Sequence, residues 1–139
     1  MEPWTIRVDD CLYDGRVDDL QDLFVSFFAG IDYQAHQKLK ALSYEEHFHY
    51  TFYLIMKLLS CYCTLIEKQN NHGRCDMVVE SPKFVYIFEF KLNGKADEAL
   101  QQIADKGYAE PYQSDPRQVY RIGVGFSQET NGIAEWKVE

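Results

Sequence analysis

Basic residues are in short supply in this chain of 139 residues: 14 lysines and arginines stand against 22 acids, a formal net charge of -8. That balance excludes a protein that grips nucleic acid by broad electrostatic attraction. It leaves room for a site that recruits divalent cations, or for a module whose DNA contacts come from a partner. Long apolar runs are missing too. The longest extends from Phe52 to Ile66 and is broken by Lys57, too short to span a bilayer, so no membrane association is expected. No repeat, low-complexity tract or linker occurs, and nothing resembles a secretory signal. The four cysteines, Cys11, Cys61, Cys63 and Cys75, lie in apolar surroundings, which predicts reduced, buried thiols in a cytoplasmic protein rather than a disulfide framework. A Gly-x-x-x-x-Gly-Lys-Ser/Thr phosphate loop is absent, excluding ATP hydrolysis by that route. No Ser-His-Asp arrangement stands out.

What is present is core-forming material. Hydrophobic residues make up 46% and aromatics 15%, enough for one globular domain without disulfides or a structural metal. Residues 1–16 are expected as a polar opening segment and 17–139 as a single domain. Val17, Leu20, Phe24, Phe27, Phe28 and Ile31 recur at three-and-four spacing and predict a first amphipathic helix. A second helix is expected from Ser43, a good N-cap, to Ser60, with Phe48, Phe52, Ile55, Met56 and Leu59 on its apolar stripe. Its polar stripe contains Glu46, His49, Tyr50, Tyr53 and Lys57. Strands are expected at Thr64–Glu67, Arg74–Glu80 and Phe84–Lys91. A helix over Lys95–Tyr108 follows, then strands at Val119–Ser127 and Ile133–Val138. The order α-α-β-β-β-α-β-β predicts an α/β fold, a mixed sheet with helices on both faces.

Chemistry concentrates where strand patterning calls for apolar residues. Along Phe84–Lys91, alternation puts Phe84, Tyr86, Phe88 and Phe90 on one face and Val85, Ile87, Glu89 and Lys91 on the other. A turn centred on Ser81-Pro82 sets Asp76 opposite Ile87, with Glu89 its diagonal neighbour at roughly 7–8 Å on the same face. A slip of one residue would send Asp76 to the other face. Two carboxylates so placed can share one Mg²⁺, with Glu46 completing the shell from the neighbouring helix. Lys91 would then supply positive charge to a phosphate in transit. Against this stands the ordinary reading of Glu-x-Lys as a solvated strand end and of Glu46 as a helix-dipole acid. A zinc site from Cys61, Cys63, His72 and Cys75 is the competing constellation, although its spacing matches no common finger pattern.

The ordered motifs Gly73-Arg74-Cys75-Asp76, Phe88-Glu89-Phe90-Lys91, Ala99-Leu100-Gln101-Gln102-Ile103 and Lys106-Gly107-Tyr108-Ala109-Glu110-Pro111-Tyr112 are followed by Ile122-Gly123-Val124-Gly125-Phe126-Ser127. Together they resemble the PD-(D/E)xK nuclease superfamily, most closely the bacterial branch commonly found C-terminal to an AAA-type ATPase domain. The resemblance covers Val17 to Val138. It implies a restriction-endonuclease-like α-β-β-β-α-β core with an extra N-terminal helix, and a Mg²⁺ site (Mn²⁺ as substitute) at Asp76, Glu89 and Glu46. It further implies Lys91 and Gln102 as catalytic companions, with Tyr108 as a possible addition, and hydrolysis of DNA by a metal-activated water. The alternative it allows is an inactive nuclease-fold module that docks on an ATPase or other protein.

Overall fold

The computed structural model of the chain describes residues 3–30, 63–70, 73–127, 129 and 132–139. The expected helix over 43–60, and Glu46 with it, lies outside the described residues.

A helix forms at Trp4–Asp14 (α1), where the sequence reads as a polar opening segment. Only Val8, Cys11 and Leu12 are fully buried, while Arg7, Asp9, Asp10 and Asp14 interrupt the pattern and Ile6 and Tyr13 are exposed, which explains why composition hides it. The segment ahead of Val17 is therefore part of the packed unit. Gly15 ends α1 in the left-handed region at φ 72°, and a Cβ there would also lie 2.6 Å from the Phe84 ring. The second helix, Val17–Ala29 (α2), follows the expected periodicity and buries Leu20, Leu23, Phe24 and Phe28.

Five strands form one sheet in the order β1-β2-β3-β4-β5: Cys63–Asn70, Gly73–Glu80, Phe84–Leu92, Gln118–Ser127 and Gly132–Val138. β3 and β4 run parallel, joined through the helix Ala96–Asp105 (α3), and the other pairings are antiparallel. This is a mixed sheet with helices on both faces, consistent with a restriction-endonuclease-like fold. On one face Tyr86, Phe88 and Phe90 pack against α1 and α2, in a core that also takes in Met77, Val79, Ile122 and Val124. The fully buried Tyr86 hydroxyl donates to the Leu12 carbonyl at 2.6 Å, satisfying one of the carbonyls that the end of α1 leaves open. On the other face Val78, Val85 and Ile87 pack against Leu100 and Ile103 of α3.

The close seating of α3 depends on one glycine. A Cβ at Gly123 would stand 2.4 Å from the Ala96 carbonyl oxygen and 3.1 Å from the Ala99 Cβ, both on α3. Backbone cannot swing aside as a side chain can, so Gly123→Ala must push the helix off the sheet. We expect this substitution to destabilise the fold by about 1–3 kcal/mol, read as a lower urea midpoint at unchanged slope.

Candidate active site at the split between two strands

The hairpin that joins β2 to β3 turns through Pro82 and Lys83. The Ser81 N–H donates to the Phe84 carbonyl at 2.8 Å and the register runs Glu80↔Val85, Val79↔Tyr86, Val78↔Ile87, Met77↔Phe88. The turn thus lies one residue further along than the expected Ser81-Pro82 centre, because Ser81 closes the turn instead of occupying its middle. Val78, not Asp76, faces Ile87. The shift in pairing is two residues, so parity survives: continuing the register sets Asp76 directly across from Glu89 on the face covered by α3. The last pair of the ladder is Met77↔Phe88, so the two acids stand just beyond its end.

Arg117 holds this hairpin in place, and nothing local in the sequence signals it. Its guanidinium donates to Asp115 at 2.6 Å and Glu80 at 2.8 Å, and reaches the Ser81 carbonyl at 3.4 Å. The two hydrogen-bonded carboxylates raise the arginine's pKa, and the Arg117 hydrogen bonds lower that of Asp115 to about 2.

At the site itself the β2–β3 ladder stops and polar contacts replace it. The Phe90 N–H donates to Asp76 Oδ2 at 2.9 Å, orienting that carboxylate. Glu89 is 3% exposed. Gln102, on α3, donates from Nε2 to Glu89 Oε1 at 2.8 Å, and its Oε1 accepts a short hydrogen bond from Lys91 Nζ. One amide therefore bridges the buried acid and the lysine. Glu89 Oε2 is buried with no hydrogen-bond donor among the described residues. Burial, and next the Asp76 carboxylate beside it, push Glu89 up to about 9, against the pull of the Lys91 ammonium.

Four of the five residues singled out by sequence, Asp76, Glu89, Lys91 and Gln102, are thus brought together; Glu46 falls outside the described residues. Tyr108 is buried in the apolar cluster under α3. Sequence reasoning missed Glu135 of β5, whose Oε1 accepts the Ala96 N–H at 2.7 Å and caps an α3 that has no side-chain cap of its own. That contact helps to fix the helix carrying Gln102.

Two carboxylates, one with an orphaned buried oxygen, form a hard oxygen donor set suited to a divalent cation such as Mg²⁺ or Mn²⁺. Among the described residues no group of three or more His, Cys, Asp or Glu is placed to hold a metal, so a third protein ligand must come from elsewhere or from solvent. The zinc alternative fails on backbone grounds. Cys63 pairs with Glu80, whereas Cys75 lies further along β2 opposite Lys68. At a strand's rise the five residues between Glu80 and Cys75 span about 17 Å, too far for one ion.

Comparison with known proteins gives a family and one relative. A family model described as PD-(D/E)XK nuclease superfamily matches residues 43–136, which include every candidate site residue named above. A protein of Azotobacter chroococcum mcd 1, described as "Uncharacterized protein in vnfD 5'region", is 35% identical over 137 residues. The alignment covers 97% of this chain but 26% of that relative, so the chain spans about a quarter of its length. No solved structure matches the chain.

Proposed function

Because the chain belongs to the PD-(D/E)XK nuclease superfamily, we propose that Asp76, Glu89, Lys91 and Gln102 form a divalent-cation-dependent site that hydrolyses phosphodiester bonds of DNA. The observation that carries this reading is the buried Glu89 carboxyl, one oxygen tied to Gln102 and the other left without a donor. Charge on that carboxyl is costly out of water, so it keeps its proton until a cation joins it.

Asp76 and Glu89 would hold the cation, Mg²⁺ or Mn²⁺, with Glu46 as the third acid implied by the family resemblance. Bound there, the cation supplies Lewis-acid polarisation of the phosphate and lowers the pKa of a coordinated water. The protein's own groups do the rest. The Phe90 N–H holds Asp76 in orientation, and Gln102 fixes both Glu89 and the Lys91 ammonium through its two amide atoms. Lys91, preset in this way, meets the phosphate oxygen on which negative charge accumulates. Cys11 is free, buried and has its thiol pKa pushed up by burial, which suits a reducing compartment such as the cytoplasm. No helix among the described residues is long and apolar enough to cross a membrane.

A second reading, an inactive nuclease-fold module that docks on a larger assembly such as an AAA-type ATPase, draws support from the net charge of -8. A nicking assay on supercoiled plasmid with Mg²⁺ or Mn²⁺ separates the two. Cleavage by the wild type that disappears in Asp76→Ala supports the nuclease. Cleavage that survives the substitution rejects the site, and a wild type silent with both metals supports the docking module.

A further inference from the structure

Strand β5 does not alternate strictly. Ile133 pairs with Phe126 and Glu135 pairs with Gly125, so Ala134 is an extra residue, a β-bulge on a strand at the end of the sheet order. Strict alternation would send Ile133 and Glu135 to the same face. The bulge parts them. Ile133 packs on the core beneath α1 and α2, as does Trp136 after it, whereas Glu135 is turned over toward α3.

What Glu135 meets there is a helix without a cap of its own. The residue ahead of α3 is Lys95, whose side chain has no hydrogen-bond acceptor. The N–H groups of Glu98 and Ala99 bond to the Lys95 carbonyl, and the Ala96 N–H is taken by Glu135 Oε1 at 2.7 Å. The floor under this first turn is glycine. A Cβ at Gly123 would collide with the Ala96 carbonyl, and one at Gly125 would stand 2.7 Å from the Gly94 carbonyl oxygen. Bare backbone allows close approach but offers no side chain to set where the helix lies along β4. The other link from β5, Lys137 to Asp97 at 2.8 Å, joins side chains half or more exposed, and constrains little.

Gln102 stands on the same helix, about 9 Å beyond Ala96 at the helical rise, and holds Glu89 and Lys91 through its amide. Asp76 and Glu89 belong to strands instead, so their places do not depend on α3. We infer that Glu135 is a positioning residue for the reaction: delivered by the bulge at Ala134, it sets α3 so that Gln102 bridges Glu89 and Lys91. The choice of reaction rests on the nuclease reading above; the positioning rests on the contact between strand and helix.

The test is a double-mutant cycle read by single-turnover plasmid nicking at saturating Mn²⁺. Glu135→Ala should slow cleavage about tenfold, within what a misplacement of about 1 Å can cost a reacting group. Glu135→Gln, which keeps an acceptor for the Ala96 N–H, should restore the rate. Glu135→Asp, which retracts the acceptor by one methylene, should fall in the same direction by less, and serves if the alanine variant fails to fold. Mn²⁺ affinity, by calorimetry, should hold at the wild-type value in each, and Lys137→Ala should cleave as the wild type does. In a Gln102→Ala background Glu135→Ala should cost nothing more, because the group through which it acts is gone. Losses that multiply across the cycle, a Glu135→Gln rate as low as that of alanine, or Mn²⁺ affinity that falls in step with the rate overturn the inference. The side-chain amide protons of Gln102, assigned by NMR through their loss in Gln102→Ala, give a reading that needs no cleavage. They should shift in Glu135→Ala and return in Glu135→Gln. That pattern alongside a silent nicking assay upholds the positioning and sinks the nuclease. Amide protons unmoved in Glu135→Ala overturn the positioning, and nicking abolished by Asp76→Ala then leaves the nuclease standing.

Discussion

In cation-free protein at pH 7, Glu89→Gln is expected to stabilise the fold by about 1–3 kcal/mol, although it removes a candidate site residue. Burial and the facing Asp76 raise the folded-state pKa of Glu89 from 4.5 to about 9. Below pH 4.5 the carboxyl is protonated whether the chain is folded or not, and no penalty exists. Between 4.5 and about 9 the unfolded chain gives up the proton while the folded chain keeps it, so stability falls as pH rises. Above about 9 the loss is complete. At pH 7 the accumulated loss is about 3 kcal/mol, from 1.36 kcal/mol for each pH unit past 4.5. Glutamine keeps the acceptor for Gln102 and places an amide donor toward Asp76, so much of that loss is recovered. The check is a set of urea titrations between pH 4 and 9. The wild-type curve should decline across this range more steeply than that of Glu89→Gln, and the two should converge near pH 4. Parallel profiles would mean that Glu89 is not held protonated by its surroundings.

Replacing Lys91 should separate binding from chemistry. Lys91 is tied through Gln102 to the same acid that would hold the cation, yet as an ammonium it cannot be a cation ligand. Lys91→Met keeps the apolar stem and deletes the charge. We expect single-turnover cleavage with saturating Mn²⁺ to slow by about 10²–10³, the range for removing one preorganised donor aimed at developing charge. Cation affinity should rise or stay level, because a neighbouring positive charge is lost. Gln102→Ala should fall in the same direction with a smaller effect, since it frees Lys91 and Glu89 without deleting either. A Lys91→Met protein that cleaves at the wild-type rate would remove the lysine from the mechanism.

Much of this arrangement was legible before any coordinates. The alternation along β3 fixes which face bears Glu89 and Lys91, because the side-chain period of a strand is strictly two. That same period let the expected hairpin be displaced by one residue at its turn without moving Asp76 off the shared face. The three-and-four spacing of Leu20, Phe24 and Phe28 was equally direct. What could not be read depends on partners distant in sequence. The cap on α3 comes from Glu135, 39 residues away, and the staple on the hairpin joins Arg117 to Glu80, 37 residues apart. Helix α1 was hidden for another reason. Its buried side is narrow, and Arg7, Asp9, Asp10 and Asp14 dilute the periodic signal of Val8, Cys11 and Leu12. The place where β2 and β3 part, which opens the site, has no sequence mark.

Calorimetric titration with Mn²⁺ at pH 7, in two buffers of different ionisation enthalpy, tests the opposed carboxylates most directly. The wild type should bind one cation and release close to one proton as Glu89 ionises. Asp76→Asn and Glu89→Gln should each lose that binding while remaining folded by circular dichroism. Wild-type affinity retained in both variants, or binding with no proton release, would contradict a cation held between Asp76 and Glu89.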